Sequence, residues 1–500
     1  MNLHLFVLLP ALTAIFILFA RDLKQIRWIS FIGSAVQLLL SLALLNAFTA
    51  DRAAGLGTSM LYQTSYEWFA PLGIHFTTGV DGISVSMILL SALVVLAGVL
   101  VSWNTEKLSR EFFFLLMLLS AGAYGFFISL DLFTLFFFLE IAVIPKFLLI
   151  GIWGTGRKEY SAMKLALMLM GGSALVFLGL LGVYFSSADS LGMRTFDLAT
   201  LAANPIPLDT QLLFFPLAFV GFGIFGALFP FHTWVPDGHS SAPTAASMFL
   251  AGISMKLGGY GCLRVATYIM PEAAAVYAPW IVGLAAIAIF YGAFATLMQT
   301  DLKYINAYSS VSHCGFVLLG IGMMNQTAIT GAVMQMISHG LMTALFFAAI
   351  GMLYERTHTR LVSQLGGLLK FMPFISTLFV IAGLCSLGLP GLSGFVSEMT
   401  VFMGSWERAE PFYRIATIAS CASIVVTAVY ILRATGKAIM GPVADAHHGD
   451  GGDARWNEKL AAILLLAGIV VIGIAPFWLN SLLKPDVQGI MAQIGRHMTL

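Results

Sequence analysis

Charge is what this 500-residue sequence has least of. Only 10% of its residues are Asp, Glu, Lys or Arg, against 59% hydrophobic, where a soluble globule would carry about a quarter charged. A water-soluble fold is excluded, and the chain reads as a polytopic membrane protein. The net charge is +1 and there is no long basic run, which argues against nucleic acid as a partner. Cysteine is scarce too, at four residues. Cys262, Cys314, Cys385 and Cys421 all lie in apolar runs without CxxC spacing, so they read as small core residues rather than ligands of zinc or an iron–sulfur cluster. No Ser/Pro or Gln/Asn tract suggests disorder. The first apolar run, 3–20, lacks a basic leader and is followed directly by Arg21, Lys24 and Arg27, the pattern of a first anchor rather than a cleaved signal.

What the sequence does have is apolar runs. At about 20 residues per crossing, fourteen spans are expected, near 3–20, 27–48, 82–103, 111–129, 131–152, 164–186, 211–230, 243–269, 274–299, 304–324, 327–354, 374–404, 411–437 and 457–483. The expected class is all-α, a single membrane domain over 1–483 followed by a tail, 484–500. Within it, helices at 3–103 precede a first repeat (111–269), a second repeat (274–437) and a last helix (457–483). If the segment after the first span faces the cytoplasm, sixteen of the 25 Lys and Arg fall in cytoplasmic loops and six in the opposite ones. That satisfies the positive-inside rule and puts both termini on the outer, periplasmic face. The remaining three, Lys146, Lys256 and Arg264, lie within spans.

Material outside the spans is confined chiefly to 49–81, 187–210 and 441–457, so no soluble catalytic domain is expected and chemistry must happen in the membrane. The last loop holds His447 and His448 among aspartates and glycines, and reads as a flexible connector rather than a metal site. Two spans look interrupted: the seventh ends "GALFPFHTWVPDGH" and the twelfth contains "CSLGLPGLSGFVSEM". Freed backbone groups at membrane depth are tolerated only against protein or a water-filled cavity, and paired broken helices mark ion pathways built from inverted repeats. Spans 4–8 and 9–13 would be the two repeats, because seven and twelve are each fourth in a set of five.

A charge at the centre of a bilayer costs about 2.5–3.5 kcal/mol even on the lenient insertion scale. The spans that carry one are therefore conspicuous: Glu140 and Lys146 in span 5, Lys256 in span 8 and Glu398 in span 12. Burial moves carboxylates and amines toward the pH at which they exchange protons readily. Two unlike charges about 8 Å apart at an effective dielectric near 20 interact by about 2 kcal/mol, so occupancy of one site can gate the next. The alternative is that such pairs only lock helices together. Histidines extend the line: His313 in span 10 follows Tyr308, Ser309 and Ser312, and His339 in span 11 belongs to a Gln335, His339, Thr343 stripe at i, i+4, i+8. Histidine titrates near neutral pH, although each is as readily a hydrogen-bonded packing residue. His232, just past the break in span 7, is either a proton-uptake group at the cytoplasmic mouth or a structural cap. "GFGIFG", 221–226, matches GxGxxG but sits inside span 7 with no strand before it, so helix packing explains it.

The combination "LFFFLEIAVIPKFLLIGIWG", "PFHTWVPDGHSSAPTAASMFLAGISMKLGGYG", "QTDLKYINAYSSVSHCGFVLLG", "MQMISHGLMTALFF" and "LGLPGLSGFVSEM" resembles the antiporter-like subunits of respiratory complex I, bacterial NADH:quinone oxidoreductase, and most closely the NuoM, or subunit 4, type. The resemblance covers essentially the whole chain. It implies a fourteen-helix fold with two inverted five-helix repeats and a proton pathway along a central charged row. It also implies no cofactor in this chain, with flavin, iron–sulfur clusters and quinone in partner subunits. The partners implied are other membrane subunits, including sister antiporter-like chains. By motif, Glu140 falls on the family's span 5 glutamate, Lys256 on the span 8 lysine, Glu398 on the span 12 glutamate, and His313 and His339 on the connecting histidines. The family's usual span 7 lysine is missing, with Phe225 in its place. Lys146, where the family is commonly apolar, is a candidate substitute if Pro145 kinks the helix or the side chain points toward span 7. A sodium/proton antiporter subunit, which shares the fold, is the rival reading.

Overall fold

Backbone amides in hydrocarbon have no water to bond, so apolar runs close their hydrogen bonds within helices. The computed structural model of the protein describes residues 1–55, 60–204, 206–445 and 451–498. The first helices are α1 (Leu5–Phe19) and α2 (Leu23–Ala53). A two-stranded antiparallel hairpin follows, β1 (Leu61–Phe69) and β2 (Ile74–Val80), and then α3 (Gly82–Val101) and α4 (Ser109–Ile128). The fifth apolar run is split into α5 (Leu132–Ile141) and α6 (Val143–Trp153), and leads to α7 (Lys158–Leu191) and the short α8 (Leu198–Ala203). The seventh is α9 (Leu208–Phe225) and α10 (Trp234–Ser241). The eighth is α11 (Thr244–Phe249) and α12 (Met255–Gly261), joined and followed by π-helical turns at Leu250–Ser254 and Cys262–Thr267. Next come α13 (Pro271–Leu297), α14 (Leu302–Gly322), α15 (Gln326–Thr357), the broken pair α16 (Pro373–Ser386) and α17 (Ser393–Glu407), α18 (Pro411–Ala434), α19 (Trp456–Ile474) and α20 (Phe477–Met498).

Among the described residues ten helical stretches, α5 and α6 counted together as one, are long and apolar enough to cross a membrane. They sort by burial. The most apolar stretch of α15 is buried throughout, and α3 and α4 nearly so, whereas α2 turns most of its apolar surface outward. α15 is thus the central post against which α14, α16, α17, α19 and α3 pack.

Helix ends meet one another in two separate sets. On one face, Arg110 donates to Ala20 O (2.9 Å), Lys107 to Ile152 O (3.2 Å), Lys303 to Ala242 O (2.6 Å) and Arg360 to Ser240 O (2.8 Å), and Arg356 pairs with Glu458 (2.7 Å). On the other, His4 meets Thr64 (3.1 Å), Tyr62 donates to Asp51 (2.5 Å), Arg52 pairs with Asp486 (2.5 Å), and Asn325 donates to Gly404 O (2.7 Å). The cations of the first set come from loops that the charge count assigned to the cytoplasm.

Four features differ from the sequence reading. Residues 49–81, expected as a connecting segment, contain the hairpin, whose Thr64–Thr78 and Ser65–Thr77 hydroxyls bond across the strands at 2.9 and 2.8 Å; Tyr, Trp and Thr alternating along "LYQTSYEWF" favour it. The class is therefore mostly helical rather than purely α. The fifth apolar run is interrupted as well as the seventh and twelfth. The last apolar run ends at Ile474 rather than 483, and residues 484–498, read as a tail, belong to α20. His447 and His448 lie outside the described residues.

Candidate functional site

The breaks in the fifth and twelfth runs lie beside charged side chains, and local sequence explains each break. Pro145 has no N–H to give Ile141 O and its ring crowds that carbonyl, so the helix steps at Ala142, two residues after Glu140 and four before Lys146. In the twelfth run, Gly388 (φ +75°) and Gly391 (φ +93°) adopt the left-handed backbone that glycine accepts without strain. In the seventh, the chain leaves α9 at Phe225, and the carbonyl of Ile224 is satisfied by the buried indole of Trp234 (2.9 Å).

Lys146 is 1% exposed. Its ammonium points into the protein and lies 5.7 Å from the centre of the Phe225 ring, within cation–π reach. No protein acceptor bonds it, and Glu140 Oε1 is likewise buried without a hydrogen-bond partner, with Ser173 of α7 beside it. The kink brings Lys146 to the residue standing where the family's span 7 lysine is expected. Gly226, next to Phe225, packs against Gly258 of α12, where a methyl group would lie 2.6 Å from Phe222 O. The seventh and eighth runs therefore touch backbone to backbone next to Phe225 and Lys256.

From Lys256 a row of contacts runs on, polar except between the two histidine rings, where His339 Nε2 has no hydrogen-bond partner. Its ammonium donates to Ala251 O, in the π-helical turn, and lies 2.7 Å from His339 Nδ1. The His339 and His313 rings stand 5.4 Å apart, centre to centre. His313 Nδ1 lies 3.1 Å from Glu398 Oε1, and its Nε2 lies 2.9 Å from Ser386 Oγ at the break in the twelfth run. Gln335 holds the junction. Its amide nitrogen lies 3.3 Å from His313 Nδ1, and its Oε1 accepts from Ser397 of α17 at 2.5 Å. Lys256, His339, His313 and Glu398, which α12, α15, α14 and α17 supply, are each 5% exposed or less.

His232 is not joined to this row. It is buried in the connection from α9 to α10, stacked on Phe229 (5.5 Å) and edge-on to Tyr291 (4.9 Å). The residue that sequence reasoning missed is His239, seven positions on. It is fully buried, stacked on Phe347 at 5.0 Å, and neither ring nitrogen has a hydrogen-bond partner. Lys256, His339 and Lys303 are all close enough to act on it electrostatically. The signal was its place beside Pro236 and Asp237 in the segment that breaks span 7, where polar groups converge. Among the described residues no three His, Cys, Asp or Glu side chains are grouped to hold a metal ion. The row is built of proton donors and acceptors.

Residues 129–426 match the family described as NADH:quinone oxidoreductase/Mrp antiporter, transmembrane. The chain is 37% identical over 478 residues to an NAD(P)H-quinone oxidoreductase chain 4 of Synechococcus sp. (strain JA-3-3Ab), covering 94% of this chain and 89% of that one. A chain in the structure of respiratory complex I from Thermus thermophilus with bound NADH superimposes with a TM-score of 0.88 at 25% identity, over 99% of this chain and 100% of that chain. The Mrp complex from Dietzia sp. DQ12-45-1b shares the fold, with a TM-score of 0.83 at 19% identity over 98% of each chain. A match over more than half the chain, together with relatives of this identity and coverage, places the chain in the NADH:quinone oxidoreductase/Mrp antiporter transmembrane family, as an antiporter-like subunit of the chain 4, or NuoM, type.

Proposed function

We propose that this chain moves protons across the membrane as a subunit of an NADH:quinone oxidoreductase, driven by quinone chemistry in neighbouring chains. The observation that carries the reading is the buried row Lys256–His339–His313–Glu398, with successive groups in hydrogen-bond or ring contact. Such a row passes a proton by short hops, each group accepting on one side and releasing on the other. Glu140 and Lys146 extend it beyond the contact between the seventh and eighth runs, with Lys146 in the role of the absent span 7 lysine. His239 is placed to feed protons from the basic face, beside Lys303, and His232 lies off the path.

In this reading the chain makes fourteen crossings, with inverted repeats at spans 4–8 and 9–13. The basic face is cytoplasmic and both termini lie on the outer side of a bacterial inner membrane. The chain holds no cofactor, and flavin, iron–sulfur clusters and quinone reside in partner subunits. The partners are the other membrane subunits of the complex, sister antiporter-like chains among them.

The test is proton pumping by the assembled complex in sealed vesicles, with quinone reduction followed in parallel. Lys256→Met and Glu398→Gln should each abolish or sharply reduce pumping while the complex still assembles. Glu398→Lys should retain part of it, because a titratable group stays on the row. Normal pumping by assembled Lys256→Met complex contradicts the reading. The rival, a sodium/proton antiporter, requires sodium-dependent activity at fixed pH with uptake of labelled sodium. Sodium prefers about six oxygen ligands, by analogy with other hard cations, and the row offers isolated carboxylates, amines and imidazoles.

A further inference from the structure

A second buried polar contact lies beside the row, in a direction the proton path above does not use. Tyr260 follows Lys256 by four residues on α12, so the two share a helix face about one turn apart. Its hydroxyl lies 2.9 Å from Ser84 Oγ on α3, and both residues are buried. The setting is otherwise apolar, since Phe126 and Phe127 pack edge-on against the Tyr260 ring at 5.7 and 5.3 Å. Ser84 is in the first turn of α3, and Asp81, which caps that helix through Ser84 N (2.8 Å), pairs with Arg264. Asp81 and Arg264, with Tyr268 and Asp486, line a cavity of about 570 Å³ on the face opposite the basic one.

The Lys256 ammonium is turned toward His339 and Ala251 O, away from Tyr260. The flexible four-carbon stem of Lys256 lets its ammonium turn back toward Tyr260, one helical turn away, where a fixed side chain could not.

We infer that Tyr260 and Ser84 form a release branch, through which Lys256 discharges protons to the cavity floored by Asp81 and Arg264 at the outer face. This rests on the proposed proton-pumping role. The Lys256 ammonium swings from His339 to Tyr260 and gives its proton to a lone pair of the phenol oxygen. The phenol releases its own proton to Ser84 Oγ, and the serine hydroxyl, buried three residues along the chain from the cavity-lining Asp81, releases its own toward water in the cavity. Both hydroxyls end neutral, Lys256 ends as the free amine, and one proton has moved. The Asp81–Arg264 pair fixes the start of α3, and thereby Ser84, at the mouth of the branch.

The experiment uses the assembled complex in sealed vesicles, comparing Lys256→Met, Tyr260→Phe, Ser84→Ala and Ser84→Thr for protons moved per quinone reduced and for thermal stability. Tyr260→Phe keeps the ring packing and removes only the hydroxyl. It should cut proton transfer about tenfold or more with assembly intact, and Ser84→Ala should do the same. Ser84→Thr, which keeps a hydroxyl, should pump near the wild-type rate. If Lys256→Met stops pumping while Tyr260→Phe and Ser84→Ala pump normally, whatever they do to stability, the hydroxyl pair only ties α3 to α12 and the release branch is overturned. If Lys256→Met itself pumps normally, the failure lies in the proton-pumping role rather than in the branch.

Discussion

Lys146→Met isolates the least expected feature of the site. Methionine approximates the length of the lysine stem and suits a buried position, so assembly should survive. Glu140 and Lys146 are six residues apart, about 9 Å at the rise of a continuous helix, and opposite charges at that distance interact by about 1.8 kcal/mol at an effective dielectric near 20. Removing that bias should slow the proton transfer it assists by about 20-fold. Glu140→Gln removes the other half of the same pair, so the two single variants should be similarly impaired and the double variant little worse. The Phe225 ring, 5.7 Å from the Lys146 ammonium, gives a further handle. In the native background Phe225→Lys puts a second ammonium at about that distance, a repulsion of about 3 kcal/mol, and should harm pumping. In the Lys146→Met background the same change should restore a large part of it. One substitution with opposite effects in two backgrounds is hard to obtain from a structural role alone. The assay is proton uptake by sealed vesicles at a fixed rate of quinone reduction. Normal pumping by Lys146→Met, or Phe225→Lys acting alike in both backgrounds, refutes the reasoning.

Two further outcomes follow from packing and buried charge. Gly258→Ala would put a methyl group 2.6 Å from Phe222 O and 2.8 Å from Gly226 Cα, forcing the seventh and eighth runs apart at a cost of about 1–3 kcal/mol; the purified complex should denature at lower temperature, and an unchanged midpoint contradicts the close contact. Glu458 accepts from both terminal nitrogens of Arg356, at 2.7 and 3.2 Å, with both residues buried. Glu458→Gln should therefore destabilise by about 3 kcal/mol, and Arg356→Met with Glu458→Leu by less than either single change, as thermal denaturation of the detergent-solubilised complex would show.

The family, the helical membrane character of the chain and the ionisable residues within its apolar runs were legible in the sequence because a bilayer is an unforgiving solvent. Apolar runs of span length must be helices, and any ionisable residue within them stands out against its surroundings. Prolines and glycines marked the breaks in the seventh and twelfth runs for the same reason. Pro145 sat in plain view beside Glu140 and Lys146, yet one proline in an apolar run fixes neither the size of a kink nor its direction. Only the packed helices decided that the ammonium of Lys146 faces Phe225 rather than lipid.

The order of the row was also beyond the sequence. Lys256 and His339 are 83 residues apart in the chain, and His313 and Glu398 are 85 apart, so their contacts exist because α12, α14 and α17 all meet α15. His232 and His239 illustrate the point at close range. Both lie in the segment after α9, and by residue type they are equivalent; the fold stacks His232 on aromatic rings away from the row and sets His239 within electrostatic reach of Lys256 and Lys303. Composition and hydropathy thus determined that this chain lives in a membrane and which of its residues are costly there, because those are properties of single side chains in a solvent. Which costly residues touch, and so where a proton can go next, is a property of pairs brought together from distant parts of the chain, and only the tertiary structure decides it.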